Sequence, residues 1–344
     1  MNKKLLLVGS NSIHTYNYIE LIKDYFDEII LLTNKKNEKC SIKSIEINFH
    51  LGLNIISSIS QIKKIVKEFS PSIIHIHQAN SYAFLTLLAL KNSNIPTLLT
   101  AWGSDILINP KKSFLLKKIV SYNLNHIHRA TSDSLFMANE MKSYNRNLDI
   151  DIVSYGIENT FNNSGIKENI IYSNRLHNDL YNIDKVINSF YNFSKNNSKW
   201  KLVIGATGNN TNRLEELVKR LNIEDKVDFI GWVDSKTNQN MYQKSKIYIS
   251  IPSSDATSIS LLEAISHNCI CFVSNLPANY EHILDGINGF IEPSLDKINF
   301  EKYLDIDFNL LEEVNKKRKQ KYLKAYNKKI FFSIYDNLIK NFKY

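Results

Sequence analysis

Apolar and polar positions fall into alternating blocks along this chain. Short unbroken apolar runs bounded by turn residues read as strands buried on both faces, and longer stretches with apolar residues every three or four positions read as helices. Lys4 to Val8 is the first such run, closed by Gly9 and Ser10. A helix is expected from about Thr15 to Tyr25, and a second strand from Glu28 to Thr33. The alternation continues with helix Ser60 to Phe69, strand Ser72 to His77, apolar helix Ser81 to Lys91, strand Thr97 to Thr100 and a helix from Ser113. Strands that alternate with helices predict a parallel sheet with helices on its faces.

The pattern restarts after Asn159 to Asn169, a polar stretch with one glycine that serves as an interdomain linker. Strands are then expected at Ile170 to Tyr172, Lys201 to Ile204, Val227 to Ile230, Ile247 to Ile251 and Ile270 to Ser274. Helices are expected at Ile183 to Lys195, Arg213 to Leu221, Asn238 to Lys244 and Ser258 to Ser266. At 344 residues the chain has room for two domains of this kind. Two doubly wound α/β domains would leave a cleft between them, and open parallel sheets bind ligands beyond the carboxyl ends of their strands. The tail from Phe308 places Phe331, Phe332, Tyr335, Leu338 and Phe342 at helical spacing, which predicts a closing helix that packs against the chain. A basic amphipathic helix of this kind can also lie on an anionic membrane.

Composition narrows the class. Apolar residues make up 43% and charged residues 22%, the balance of a folded globular chain. The apolar run at the start is too short for a signal peptide, and the longest apolar stretch, Tyr82 to Leu90, is too short to span a membrane. Cys40, Cys269 and Cys271 lack metal-ligand spacing, so a reducing compartment is expected. A net charge of +9 favours an anionic partner: a phosphorylated ligand, an anionic lipid surface or nucleic acid. The basic residues form no stripe interleaved with aromatics, which argues against nucleic acid. There is no G-x-G-x-x-G, and Gly205 to Gly208 runs on into Asn-Asn, so a dinucleotide dehydrogenase or a P-loop enzyme is disfavoured.

The strongest local signal runs from Ser253 to Ala264, from the end of a strand directly into a helix. A carboxylate stands at each end of an eight-residue step, Asp255 and Glu263. First-turn amides among small hydroxyl residues suit a phosphate or diphosphate, and Glu263 is placed to accept hydrogen bonds from two neighbouring sugar hydroxyls. The plainer alternative stays open at this point: Asp255 or Thr257 caps the helix and Glu263 is merely solvated.

The same stretch resembles the E-x7-E segment of retaining GT-B glycosyltransferases, family 4. Other segments match in the same order: Pro71 to Ala83 resembles the family's D-I-I-H-x-H strand and helix, and Leu99 to Ile106 its T-x-H-G-x-D turn. Asn174, Arg175 and Leu176 resemble the G-R-L loop, Phe229 to Val233 the strand beside the base, and Leu276 to Glu281 with Asp285 to Gly289 complete the series. The resemblance implies two Rossmann-like domains facing a cleft: an acceptor domain at 1–160, a donor domain at 168–322, and a C-terminal helix at 323–344 returning towards the first.

It also implies roles. Gly9 lets the donor phosphates and acceptor approach the first loop; Arg175 neutralises the leaving diphosphate; Glu263 holds the ribose hydroxyls. Asp255 contacts the transferred sugar, and Ser258 with Ile259 offer amides to the phosphates. Gly231 and Trp232 lie beside the base, though an aromatic buried at a strand end is an equally ordinary reading of Trp232. His14, His77 and Trp102 are candidates for the acceptor side, and Asp105 for orienting a sugar or acceptor hydroxyl, while His75 reads as a core histidine. The pair His75 and His77 also suits a metal by spacing. No third ligand is placed nearby, and the resemblance implies no metal and no other cofactor.

Three positions depart from the family's pattern. The first acidic residue is Asp255 in place of Glu, the histidine of the turn is Trp102, and the lysine expected five residues after the arginine is Leu180, with Lys185 a distant substitute.

The expected function is transfer of a sugar, from a UDP-sugar in the first instance, to a glycan or lipid-linked glycan in surface polysaccharide synthesis such as O-antigen or capsule. The expected place is the cytoplasm, with peripheral contact at the inner membrane face. Two rivals are a sugar-nucleotide epimerase of the same architecture and a non-catalytic nucleotide-sugar-binding partner of a polysaccharide complex.

Overall fold

A computed structural model of the chain describes residues 2–37, 40–158 and 166–342. They divide into two compact units, Met1–Tyr155 with Lys324–Tyr344, and Gly156–Leu323. The expected linker lies largely outside the described residues, and its last two positions, Glu168 and Asn169, already belong to a strand. The division falls between Tyr155 and Gly156, so Gly156 to Glu158 go with the second unit.

The first unit is built from β1 (Lys4–Val8), α1 (Ile13–Ile22), β2 (Glu28–Thr33), β3 (Lys43–Glu46), α2 (Ile55–Phe69), β4 (Ile73–His77), α3 (Ser81–Ala89) and β5 (Thr97–Thr100). Two short turns of helix, α4 (Ser104–Leu107) and α5 (Asn109–Lys112), lead into α6 (Phe114–His126), β6 (Arg129–Ser132), α7 (Leu135–Lys142) and β7 (Ile150–Ile152). The seven strands are all parallel, in the order β3-β2-β1-β4-β5-β6-β7. Leu5 to Leu7 are inaccessible because helices cover both faces of the sheet, which is why β1 reads as an unbroken apolar run. The order reverses between β1 and β4, leaving a crevice beyond their carboxyl ends.

The second unit repeats the plan with β8 (Glu168–Ser173), α8 (Ile183–Ser194), β9 (Lys201–Gly205), α9 (Thr211–Arg220), β10 (Val227–Gly231), α10 (Ser235–Lys244) and β11 (Ser245–Ser250). It ends with α11 (Ile259–Ser266), β12 (Ile270–Ser274), β13 (Gly289–Glu292) and α12 (Phe308–Tyr322). Its six strands are again parallel, in the order β10-β9-β8-β11-β12-β13, so this switch point lies between β8 and β11. Cys269 and Cys271 are free thiols in this core, and burial pushes both pKa values up.

The closing helix, α13 (Lys324–Asn341), joins the first unit. Phe331, Ile334, Tyr335 and Leu338 are buried with Leu5, Tyr18 and Ile22, at about 1.5–3 kcal/mol for each large apolar side chain fully covered. The Tyr335 hydroxyl meets that of Tyr18 at 2.6 Å, and Tyr25 donates to Asp336 at 2.6 Å. Phe342, expected on the packed stripe, is exposed. Among the described residues no helix is long and apolar enough to cross a membrane.

Candidate active site

In the second unit the two loops at the switch point carry the charged residues. Arg175 stands just past β8, and Asp255 between β11 and α11. Arg175 Nη2 donates to Asp255 Oδ2 at 2.7 Å and Nη1 to Ser258 Oγ at 2.5 Å. Its guanidinium lies 4.3 Å from the centre of the Tyr181 ring, a cation–π contact. Its Nε is buried with no acceptor among the described residues. Burial is the largest single effect and works against the Arg175 charge, but Asp255 together with Tyr248, Tyr181 and Tyr242 outweighs it, and the arginine pKa is raised. Burial also raises the Asp255 carboxyl, with Arg175 and the amide of Ala256 opposing.

Ser258 is the N-cap residue of α11, yet its hydroxyl accepts from Arg175 and no side chain caps the helix. The reading in which Asp255 or Thr257 caps α11 is thereby set aside: Asp255 Oδ1 bonds the amide of Ala256, and Thr257 Oγ1 meets His282 Nε2 at 3.2 Å. The helix start at Ile259 therefore has no side-chain cap from Ser258.

Glu263 is half-buried one to two turns along, and Asn238 Nδ2 donates to its Oε2 at 3.2 Å. Asn238 cannot turn its amide round, because its oxygen already accepts from Tyr172 at 2.7 Å and from Asn174 Nδ2 at 3.0 Å. Asn174 in turn bonds the hydroxyls of Tyr242 and Tyr248. Sequence reading missed this network, since Asn238, Tyr242 and Tyr248 lie more than sixty positions from Tyr172 and Asn174 and no motif links the two groups.

Gly231 has φ +65°, a conformation that favours glycine, with open space where a Cβ would stand. Trp232 beside it is 73% exposed, which removes the alternative of a buried strand-end aromatic and leaves its face open. Gly208 is required differently, because any Cβ there would collide with the His177 carbonyl. Lys185 does not stand in for the missing lysine: its ammonium pairs with Asp296 at 2.9 Å.

The first-unit candidates are rearranged by the structure. At Gly9 a Cβ would come within 3.1 Å of Thr15 Oγ1, a tight contact with the helix that follows. His77 was expected on the acceptor side; it is 0% exposed, and both ring nitrogens lack partners among the described residues. It is enclosed by the rings of Tyr18 at 4.7 Å, His75 at 5.0 Å and Trp102 at 5.5 Å. Burial first, and the neighbouring His14 second, push its pKa down to about 3, so it is neutral. An acceptor cannot reach it past Trp102 and Tyr18 without displacing them. His75 is the core histidine expected, bonded to Tyr335 at 2.8 Å and to Thr100 at 2.7 Å. His14 is exposed, edge-on to the half-buried Trp102 at 5.4 Å between ring centres, and these two remain at the surface.

Asp105 also changes role. It is 1% exposed, and its oxygens accept from the amides of Ala79 at 2.6 Å and Trp102 at 2.9 Å. Burial raises its pKa against those backbone donors. Its work is to tie the loop after β4 to the loop after β5, positioning Trp102 instead of touching a sugar. Among the described residues no group of three His, Cys, Asp or Glu side chains is placed to hold a metal ion.

Two family descriptions match this chain: "Glycosyl transferase 4-like" over residues 3–134, and "Glycosyl transferases group 1" over residues 157–329. The chain belongs to the glycosyl transferases group 1 family. This glycosyltransferase has the GT-B fold, as do its structural neighbours. HepE from Anabaena, solved in complex with UDP and glucose, superposes with a TM-score of 0.78 over 98% of this chain and 100% of its own, at 10% identity. Sucrose-phosphate synthase from Thermosynechococcus elongatus superposes with a TM-score of 0.79 over 99% of this chain and 100% of its own, at 11% identity. Likeness at these identities speaks to the fold. A UDP-N-acetylglucosamine–peptide N-acetylglucosaminyltransferase GtfA subunit from Limosilactobacillus reuteri is 30% identical over 128 residues, 37% of this chain. The match spans 24% of that protein's length.

Where the glycosyltransferase lacks the lysine its resemblance led one to expect, Tyr181 covers the guanidinium instead.

Proposed function

We propose that this glycosyltransferase moves a sugar from a UDP-sugar to a glycan or lipid-linked glycan, with retention at the anomeric carbon and without a metal. The observation that carries the reading is the cluster of Arg175, Asp255 and Ser258 at the uncapped start of α11, with Glu263 further along the same helix. Arg175 keeps one buried donor, Nε, without an acceptor among the described residues, as a site awaiting an anionic oxygen would. In this reading the acceptor oxygen bonds to the anomeric carbon on the face from which the diphosphate leaves. The departing phosphate oxygen takes the acceptor proton, so no side chain need act as nucleophile. Arg175 and the first-turn amides stabilise the charge that grows on the diphosphate, while Asp255, held by Arg175, faces the sugar. Glu263, its orientation fixed by Asn238, receives the ribose hydroxyls, and Trp232 offers its open face to the base.

HepE, crystallised with UDP and glucose, supports uracil as the first base to test. Surface polysaccharide is the proposed destination of the product, the cytoplasmic side of the membrane its place of action. The relative whose name specifies a peptide acceptor is reason to include peptides in an acceptor screen.

The test is a thermal shift against UDP, GDP, ADP and CMP sugars, repeated with Glu263→Ala. A ligand at a hundred times its Kd stabilises by about 2.7 kcal/mol, which raises Tm by several degrees. The reading expects a rise with the UDP compounds that the variant loses. No rise with any nucleotide sugar would overturn it.

A further inference from the structure

The polar groups packed against α11 form a floor whose hydrogen-bond directions can be worked out from a single charge. Tyr172 and Tyr248 stand side by side in register on β8 and β11, and Tyr242 joins them from α10. All three rings are 0% exposed, and burial raises the pKa of each, so the hydroxyls keep their protons. The amides of Asn174 and Asn238 bond to these hydroxyls and to each other.

The charge is that of Glu263. An ionised carboxylate only accepts, so Asn238 must present its Nδ2 there, as it does at 3.2 Å. The Asn238 oxygen then faces the floor, where it accepts from the Tyr172 hydroxyl and from Asn174 Nδ2. Asn174 can supply that donor, at 3.0 Å, only with its own oxygen turned the other way, towards Tyr248, whose hydroxyl it accepts at 3.0 Å. Its Nδ2 has a second acceptor in the Tyr242 hydroxyl at 2.9 Å. Donation therefore runs from Tyr248 through Asn174 and Asn238 to Glu263, and neither amide can turn round without setting two like groups face to face. Asn174 is also the residue next to Arg175, and the G-R-L pattern has glycine at its position, so the pattern assigns this amide no role.

We infer that Asn174 is a positioning residue of the donor site: from its place beside Arg175 it dictates, through Asn238, how the Glu263 carboxylate is presented to the ribose hydroxyls. This rests on the proposed function and deepens it, because one amide then ties the arginine loop at the diphosphate to the carboxylate at the ribose. Holding Glu263 before the ligand arrives removes the entropy cost of stopping a long side chain on it. Asn174 itself needs no contact with the nucleotide, since its hydrogen-bonding capacity is taken up by Asn238, Tyr242 and Tyr248.

The test is isothermal titration calorimetry of the full chain with UDP and with 2′-deoxy-UDP. The ratio of the two Kd values reads the ribose hydroxyl alone, because a change acting on the diphosphate or the base alters both ligands equally. The wild type is expected to bind UDP about tenfold more tightly. Asn174→Asp accepts but cannot donate, so the Asn238 amide turns its oxygen onto Glu263, and the ratio is expected to fall to about one or two. Asn238→Leu is expected to lose the ratio in the same way, and Asn174→Asp added to it to lower the ratio no further. Asn174→Ala leaves the Tyr172 hydroxyl on the Asn238 oxygen and is expected to lower the ratio about threefold; it carries the test if Asn174→Asp shows no cooperative unfolding. An unchanged ratio in a folded Asn174 variant would overturn the inference and leave the donor site standing. So would a further fall when Asn174→Asp joins Asn238→Leu, which would mean that the new charge acts without Asn238. Equal binding of the two nucleotides by the wild type would overturn it too. No binding of UDP at all would overturn the proposed function, and this inference with it.

Discussion

His77 offers a sharp test of the electrostatics of the first unit. Its ring is fully buried, its nitrogens make no hydrogen bonds among the described residues, and burial, with His14 second, holds its pKa at about 3. An unfolded chain would protonate it near the ordinary value of 6.5. The folded form therefore refuses a proton that the unfolded form takes, and stability present above about pH 6.5 is lost as pH falls towards the folded value. At 1.36 kcal/mol per unit, lowering the pH from about 7 to about 5 costs roughly 2 kcal/mol through this one side chain. For a unit of this size that is a fall in Tm of about 4–8 °C. His77→Phe removes the titration and sacrifices no hydrogen bond, so it is expected to leave stability near neutral pH within about 1 kcal/mol of the wild type and to flatten the acid slope by that amount. His75 has its pKa lowered by burial first and by His77 second, so the difference between the two pH profiles reads His77 together with its effect on His75. Differential scanning calorimetry across this pH range reads both quantities. An unchanged acid slope in the variant would refute the reasoning, and so would a loss of several kcal/mol near neutral pH, which would mean that the ring nitrogens have partners.

Two further substitutions test the positioning roles. Asp105→Asn replaces a two-oxygen acceptor by a group that can accept through only one of its ends, leaving one of the Ala79 and Trp102 amides facing an N–H; a loss of about 1–3 kcal/mol in chemical denaturation is expected, and no loss would mean that the carboxylate does not tie these loops. Asn238→Leu removes the donor that orients Glu263, so the KM for the nucleotide sugar is expected to rise by about fivefold to tenfold with kcat little changed, and a fall in kcat alone would contradict a role in binding.

Much of the fold is legible because strands buried on both faces must be apolar throughout. Lys4–Val8 and Ile270–Ser274 are recovered to the residue or nearly so. Elements that escape are those whose burial is partial or whose polarity is satisfied by a distant partner. Lys43–Glu46 is an edge strand with no fully buried residue, so it shows no apolar run. Arg129–Ser132 is polar yet largely buried, because Thr131 bonds Thr100 at 2.6 Å and Arg129 pairs with Asp151 at 2.6 Å, contacts that a local reading cannot see. The same division holds at the candidate site. Arg175, Asp255 and Glu263 stand out by motif and spacing, whereas Tyr181 and Asn238 are ordinary residues until folding brings them to the charged ones. His77 failed as an expectation for a related reason: its place near the end of β4 suggested access, but Tyr18, from a helix packed over the sheet, and Trp102, from the next loop, close over it.

The placement of α13 has a consequence for how this chain is made. The first unit begins at the amino terminus, yet Phe331, Ile334, Tyr335 and Leu338 of its core are the product of codons read after the whole second unit. During synthesis the opening 155 residues emerge without those side chains, and Tyr18 and Leu5 lack part of their cover. The second unit is continuous in sequence and lacks nothing once Leu323 has left the ribosome. The half that is translated first is therefore the half that finishes folding last, and its unfinished apolar face is where a nascent-chain chaperone would have the longest time to bind.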